Sequence, residues 1–595
     1  MGYANSCSDY RNRKCIYGGL QYVGFPAIPL FQLYLRKGIS MDPEKSSIDS
    51  FSVSLGTSKK KELSKTPELE PWNVLVCADL GFRSKSPRQV SSAEWNEFME
   101  SCAVVLTGSM PADAGSTWIE YKISSMRDFS AQSLAAKAFG DLAGTFALLK
   151  RTLTGKLTAD EAWAAIEPTS LPAGEKNKIK TMLKGNAPTQ RHQSSPQGGG
   201  SALDAILSMV DTGAASSETP ALNASEALIS SLTGKDVSTA DTRLIEGYIQ
   251  AGERRLLQQV TAVQGQAFFA GPKAAWLGLQ KCVKTIGRKK NARIFVYSAP
   301  REEIEERFSH IVAQCIDTAG APDIIAWDFG YSFTNAHMEQ ASAAAKTADA
   351  YKCMLVAPID GADPFFEGIQ NRDSIAALLQ EPRFLPLKKL RTNSAVRCLC
   401  LCGPDARLTD NQNDEPSPAI HGCWPLIIRW LEMLVNDCDP YALGMNGNSN
   451  EPSLTDDMEF TPHISPIIRQ EARDIAGLTL FEAASRSAAI DKVRTVIDPE
   501  NVGEAYASCA FNILVNRVAR LCTIRLLKRP AGLSAEETLN DLKNFLVQEL
   551  TAYGICSAPE HLSVRRAKDQ FAEIEIASNV SVGGVPARFS FTLDI

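Results

Sequence analysis

Histidine is scarce in this chain of 595 residues, six in all. The motifs of common chemistry are missing with it: there is no G-x-x-x-x-G-K-[ST], no G-x-G-x-x-G after a strand, no G-x-S-x-G and no H-E-x-x-H. Five histidines, His192, His310, His337, His463 and His561, sit in unrelated segments, and no catalytic cluster can be argued from them. A charge excess is also lacking, since 62 basic against 68 acidic residues leave a net −6. That offers no electrostatic footprint for nucleic acid or an anionic membrane. No membrane-length apolar run is present near the start. The stretch Tyr22 to Leu35 is broken by Gly24, Pro26, Pro29 and Gln32, and it ends in no small-residue cleavage site. Fifteen cysteines are an odd count without disulfide-framework spacing, which fits free thiols in a reducing cytoplasm.

What remains is an ordinary globular composition, 44% hydrophobic and 22% charged, with length for about four domains. The clearest pattern lies over 268–331. Phe268, Phe269, Pro272, Trp276, Leu277, Leu279 and Val283 form a helix ending near Arg288, Lys289 and Lys290. A buried strand Ile294 to Tyr297, a helix Arg301 to Cys315 and a second strand Ile324 to Trp327 follow. Ile304, Phe308, Ile311, Val312 and Cys315 recur at three to four residues, whereas the flanking runs are short and continuous, as strands buried on both faces are. A helix from Met338 to Tyr351 and a strand Cys353 to Ala357 extend this to an α/β sheet.

Around that unit the chain divides by composition. Residues 1–71 lack periodicity and read as a flexible arm, within which Met41 offers a second start. Residues 72–185 read as a small α/β domain: a strand Val74 to Leu80, a helix Ala93 to Val105, a strand Thr117 to Lys122 and a helix carrying Phe139, Leu142, Phe146, Leu149 and Leu153. Residues 186–200 are a Pro/Gly/Ser-rich linker, 201–290 a helical region and 291–595 a larger α/β core. In that core a strand runs Val396 to Cys402, and helices span Trp424 to Val435 and Glu504 to Lys528. Another helix begins at Ser534 with Glu537 as its capping-box partner. Ala572, Ile574 and Ile576 alternate in one strand, and Val585, Ala587, Phe589, Phe591 and Leu593 in another.

Several phrases carry a resemblance. FFAGPKAAWLGLQKCV, with Trp276, Gly278, Leu279 and Val283, and later IIAWDFGYSF, with Asp328, Phe329 and Tyr331, resemble the core of TssC (VipB), the large sheath subunit of the type VI secretion contractile machine. Ser201 to Leu207 resembles its "SLLD-x-I" opening, Leu244 to Val260 a phrase ending "LL-x-x-QL-x-x-IL", and Arg517 and Ala519 match places in a later helix. Residues 72–185, with the Ala78-Asp79-Leu80 phrase and Asp128-Phe129, resemble TssB (VipA), the small subunit, so the order implies a natural fusion. The resemblance implies a contractile-sheath fold of α/β and α+β type, a small domain linked to a larger one, with terminal strands exchanged between subunits. It implies a structural, non-enzymatic subunit in the bacterial cytoplasm, polymerising with itself around an Hcp-like inner tube on a baseplate. It implies neither nucleic acid nor membrane insertion. The ClpV unfoldase is the partner it implies for the opening helix, through Leu203, Ile206 and Leu207; a helix folded back on its own domain is the plainer reading. Phe589, Phe591 and Leu593 mark the strand expected to pair with a neighbour.

A different class stays open. In a doubly wound sheet ligands sit at the carboxyl ends of strands, where Asp328 and Asp360 would lie. Cys398, Cys400, Cys402, His421 and Cys423 could be read as a metal set, although alternating cysteines lack zinc spacing and core packing is the favoured reading. No catalytic, cofactor or metal residue is assigned.

Overall fold

A computed structural model describes residues 70–112, 115–184, 239–289, 291–371, 374–409, 418–435, 441, 458–481, 493–528, 533–556, 559–568 and 571–594. In chain order its strands are β1 (Trp72–Ala78), β2 (Arg88–Val90), β3 (Val104–Ala112), β4 (Gly115–Ile123), β5 (Ala292–Ser298), β6 (Ile324–Trp327), β7 (Met354–Pro358), β8 (Leu399–Gly403), β9 (Asp405–Leu408), β10 (Ala419–Ile420), β11 (Met458–Thr461), β12 (Leu478–Leu480), β13 (Leu562–Lys568), β14 (Phe571–Val582) and β15 (Val585–Asp594).

Seven of these strands make one sheet, ordered β12-β8-β7-β6-β1-β5-β2. Every pairing in it is parallel except β2 on β5. The strand read as part of a small domain is therefore a central strand of the main sheet. Val74 lies level with Ile294 on one side and Ile324 on the other. The β5-β1-β6-β7-β8 run is the flavodoxin-like order, whose switch point falls between β1 and β6.

Both faces of the sheet are covered, which is why its strands read as unbroken apolar runs. Val74, Val76 and Ala78 of β1 enter one core, and Leu75 and Cys77 the other. The longer helices are α1 (Trp95–Ser101), α2 (Ala131–Ala138), α3 (Gly140–Leu153), α4 (Ala159–Ile166), α5 (Ala173–Lys184), α6 (Thr239–Gln264), α7 (Ala267–Ile286), α8 (Arg301–Ala319), α9 (Asn335–Ala350), α10 (Cys423–Val435), α11 (Cys509–Leu527) and α12 (Ala535–Ala552). Helices α7, α10 and α11 supply the first core, and α8 and α9 the second. A third core joins α3, α4 and α5 to α6 through Leu149, Ile166, Ile179, Ile245 and Ile249.

The elements expected over 268–357 are all present, and Ser534 and Glu537 close their capping box at α12. Four expectations need correction. The helix read over 93–105 stops after α1: Ala103 takes a φ of 49°, and the β-branched pair Val104-Val105 opens β3, whose antiparallel ladder with β4 wins over a longer helix. The helix read with Phe139, Leu142, Phe146, Leu149 and Leu153 is α3, but Phe139 lies just outside it as its N-cap residue, at φ −122°. The helix read over 504–528 is interrupted at Ser508, whose side chain caps α11 by accepting from the Phe511 N–H. Its one-sided face was an underestimate, because every residue from Cys509 to Thr523 is buried. The strand read from Val396 begins only at Leu399, after a 3-10 turn that turns Cys398 toward the opposite core from Cys400 and Cys402.

At the C-terminus β13, β14 and β15 form an antiparallel sheet in that order, with β13 and β15 as its edges. Gly583 and Gly584 turn between β14 and β15 with φ of +57° and +85°, the pair of positive values a two-residue hairpin requires.

Candidate functional site

Two helix residues and one loop carboxylate hold the amino ends of the central strands. Arg517 and Arg520, three apart on α11, share a face of a helix that is buried from Cys509 to Thr523. Buried guanidinium groups need partners. They converge on Asp323, just before β6, which accepts from Arg517 Nη1 at 3.0 Å and from Arg520 Nη2. The other Asp323 oxygen accepts the Asn73 backbone N–H at 2.8 Å, locking the start of β1 to the start of β6. Arg517 Nη2 donates to the Glu70 carbonyl at 2.6 Å, and its guanidinium lies 3.9 Å over the Trp72 ring. Burial disfavours the Arg517 charge, yet Asp323, with Tyr553, Tyr441 and Glu549, outweighs it and holds the group more firmly protonated than usual. Arg520 Nη1 donates to the Pro322 and Lys352 carbonyls. This seam ties residues 70–73 to segments more than two hundred positions away.

The sequence flagged Arg517 by position but missed Asp323. The usable signal was chemical: two arginines at i, i+3 in an apolar helix demand a buried acid, and Asp323 directly precedes a buried strand.

At the opposite ends of the strands lie the residues of the enzyme reading. Asp328, 5% exposed, accepts from Trp424 Nε1 at 2.7 Å and pairs with His421 Nδ1 at 2.8 Å. Its own N–H donates to the Cys77 carbonyl of β1, so the switch point is spanned by backbone and closed by an indole. Burial alone would lower the His421 pKa, but Asp328, with Asp405 behind it, pushes it up to about 9. The side chain keeps 37% of its surface, so solvent screens part of that effect. Burial raises Asp405 as well, against the pull of His421. Cys423, 3.8 Å from Asp328, is pushed far above the usual thiol range by burial and then by that carboxylate, so it stays neutral and unreactive. Asp360 accepts from Ser332 Oγ at 3.1 Å and from the Ala362 N–H at 3.0 Å. Oδ1 of Asp328 thus takes Trp424, His421 and the Cys423 thiol together and holds α10 to the sheet.

Cys400 and Cys402 line the core, Cys402 directing its thiol to the Ala357 carbonyl at 3.4 Å, while Cys398 reaches Asp349 and Asn516 on the other face. Among the described residues no group of three or more His, Cys, Asp or Glu is placed to hold a metal ion. The structure brings His421 and Cys423 to Asp328 and separates Cys398 from the rest. Lys289, just past the end of α7, donates to the Val435 carbonyl at 3.3 Å, and Asn291 to Leu434 at 2.8 Å; together they cap the C-terminus of α10.

The interaction residues divide. Leu203, Ile206 and Leu207 fall outside the described residues. Phe589, Phe591 and Leu593 of β15 are 8%, 1% and 7% exposed and pack into their own chain, with Phe589 at 5.7 Å from Phe511 of α11. What β15 offers a partner is its outer backbone edge, with Arg588 on the exposed face. Among the described residues no helix is long and apolar enough to cross a membrane.

No family model and no curated relative matches the chain. Solved structures give partial likenesses. One is a chain of the anti-feeding prophage baseplate, at 12% identity, TM-score 0.31, covering 49% of this chain and 70% of that one. Another is a sheath tail protein from Desulfitobacterium hafniense, at 12% identity, TM-score 0.33, covering 50% and 61%. A third is a chain of the PVC sheath complex of an extracellular contractile injection system, in its contracted state, at 10% identity, TM-score 0.31, covering 50% and 70%.

Proposed function

We propose that this chain is a structural subunit of a contractile sheath, a fusion of small and large sheath subunits that polymerises around an inner tube and shortens to drive it. The observation that carries the reading is β1. The segment that resembles the small subunit contributes an inner strand of the sheet built by the segment that resembles the large one. Two chains that must pair tightly to work are the kind that can be fused without loss, because joining them raises their effective concentration. The sequence phrases of both subunits, in the same order, support it further.

In this reading neighbouring copies add to the free edge of β15, so that backbone pairing links subunits while the rigid α/β bodies rotate between extended and contracted packings. No bond chemistry is required of the chain, and Asp328 and His421 serve to hold α10. A type VI assembly with an Hcp-like tube, a baseplate and ClpV is the specific form proposed, in the bacterial cytoplasm.

The test is negative-stain electron microscopy of the purified full chain, alone and with a tube protein. Hollow tubes with ridged walls are expected in at least one arm; dispersed particles in both would overturn the reading. Deleting residues 587–595 is a poor probe of the edge, since it also removes buried Phe589 and Phe591. A Ser590→Lys, Thr592→Lys variant is better, because these positions lie opposite Glu575 and Glu573 on β14 while blunting the edge. It should fold and fail to polymerise.

A further inference from the structure

A cavity of about 420 Å³ opens beside the seam, at the amino ends of β1, β5 and β6. Four basic side chains line it, Arg293, Arg517, Arg520 and Lys528, against two carboxylates, Glu70 and Asp323. Asp323 is already engaged by both arginines and by the Asn73 N–H, and the buried Glu549 carboxylate stands 3.7 Å from Arg517 Nη2. Glu70 lies 3.7 Å from Lys528 at the exposed rim. Arg293, also at the mouth, has no ion-pair partner among the described residues. With Glu549 counted, four cations meet three carboxylates, and the charge left over is that of Arg293 at the mouth.

Two buried polar atoms of lining residues lack partners: Arg517 Nε, a donor, and Asn73 Oδ1, an acceptor, on side chains 2% and 7% exposed. Such orphans are rare in folded proteins and mark a missing ligand or water. Arg293 decides between these, since its charge at the mouth meets no carboxylate there and water neutralises nothing. The remaining wall, Ile316, Leu521, Ile524 and Leu527, is apolar and leaves room beyond a single ion.

The geometry points to an oxyanion site whose ligand carries both anionic oxygens for the arginines and at least one O–H for Asn73: hydrogen phosphate, or the phosphate of a small hydroxylated monoester. Sulfate matches the charge but supplies no O–H, and so separates the two requirements. The site stands apart from the sheath reading and needs neither tubes nor partners.

The experiment is titration calorimetry on the full chain at constant ionic strength, with inorganic phosphate, sulfate and glycerol phosphate as probes. Saturable one-to-one phosphate binding is expected, at least tenfold tighter than sulfate, and Arg293→Gln should weaken it at least fivefold. Arg293 is exposed, so that variant should fold; an unchanged circular dichroism spectrum checks this. Tighter glycerol phosphate binding assigns the ester as ligand, and weaker binding assigns the free ion. No saturable phosphate binding, equal binding of sulfate, or indifference to Arg293→Gln would each overturn the assignment.

Discussion

Replacing Gly278 by alanine tests how α7 and α10 are packed. A Cβ at this position would lie 2.6 Å from both Cε2 and Cγ of the Trp424 indole, far inside van der Waals contact. That ring cannot swing away freely, because its Nε1 donates to the buried Asp328 carboxylate at 2.7 Å. Alanine gains about 1 kcal/mol over glycine in a helix interior. Against this stand overpacking of about 1–3 kcal/mol and weakening of a hydrogen bond to a charged acceptor, worth about 1.5–3 kcal/mol. The net expectation is a loss of about 2–4 kcal/mol. Gly271 lies in the same helix, and a methyl group added there would meet only its chain neighbours, but Pro272 disfavours helical backbone in a preceding residue with a Cβ, which offsets the helix propensity of alanine, so Gly271→Ala should be near neutral. A chain of this size need not unfold in one step. Hydrogen exchange of the α7 and α10 amides, read beside urea midpoints by tryptophan fluorescence, localises the effect. If Gly278→Ala proves as stable as Gly271→Ala, the contact reasoning fails.

Three further outcomes follow from other contacts. The raised His421 pKa, about 9 against an ordinary 6.5, stabilises the fold fully below pH 6.5, and the contribution is lost as pH rises through 9; discounted for exposure it amounts to about 1–2 kcal/mol, and His421→Gln should flatten the decline of melting temperature over that window. Asp323→Asn leaves the buried Arg520 guanidinium without its counter-charge and Arg517 with Glu549 alone, at 3.7 Å, and should cost about 3–5 kcal/mol, measured as a lowered denaturation midpoint; an unchanged midpoint would mean the pair is solvated in solution. Gly583→Val places a β-branched residue at φ +57° and a Cβ 2.9 Å from the Ala510 Cβ, so fast exchange of the β14 and β15 amides is expected at a cost of about 1–3 kcal/mol.

Much of the fold was legible because its signals are local. The strands from Ile294 to Ala357 announce themselves as short apolar runs between helices of regular period, and Ser534 with Glu537 fixes a helix start from four residues. What was missed depends on distance. Nothing near Val104 says that its ladder partner begins at Gly115, so a helix reading ran past Ala103. Nothing near Val74 says that the strands beside it arrive more than two hundred residues later. The same holds for the site: Asp328 was legible as a residue at a strand end, but its use as an anchor depends on Trp424 and His421, nearly a hundred positions away.

The position of β1 sets what a break in the chain within 186–200 would do. A tether between two independently folded domains could be cut with little consequence for either, and the two would drift apart. Here Trp72, Val74, Leu75 and Val76 are each fully buried between β5 and β6 or against the helices on the two faces. Exposing four such side chains costs about 1.5–3 kcal/mol apiece, or about 6–12 kcal/mol as an upper range. That matches the whole stability of a typical domain. The larger segment should therefore not stay folded without β1, and a chain cut at a protease site placed within 186–200 should remain associated. Association worth about 8 kcal/mol corresponds to micromolar dissociation. On gel filtration at about ten micromolar the cut protein should elute as one species of unchanged size, with Arg517 and Asp323 still closing over Glu70 and Asn73. Elution as two folded species would show that the halves hold their own cores and that β1 is dispensable to the sheet.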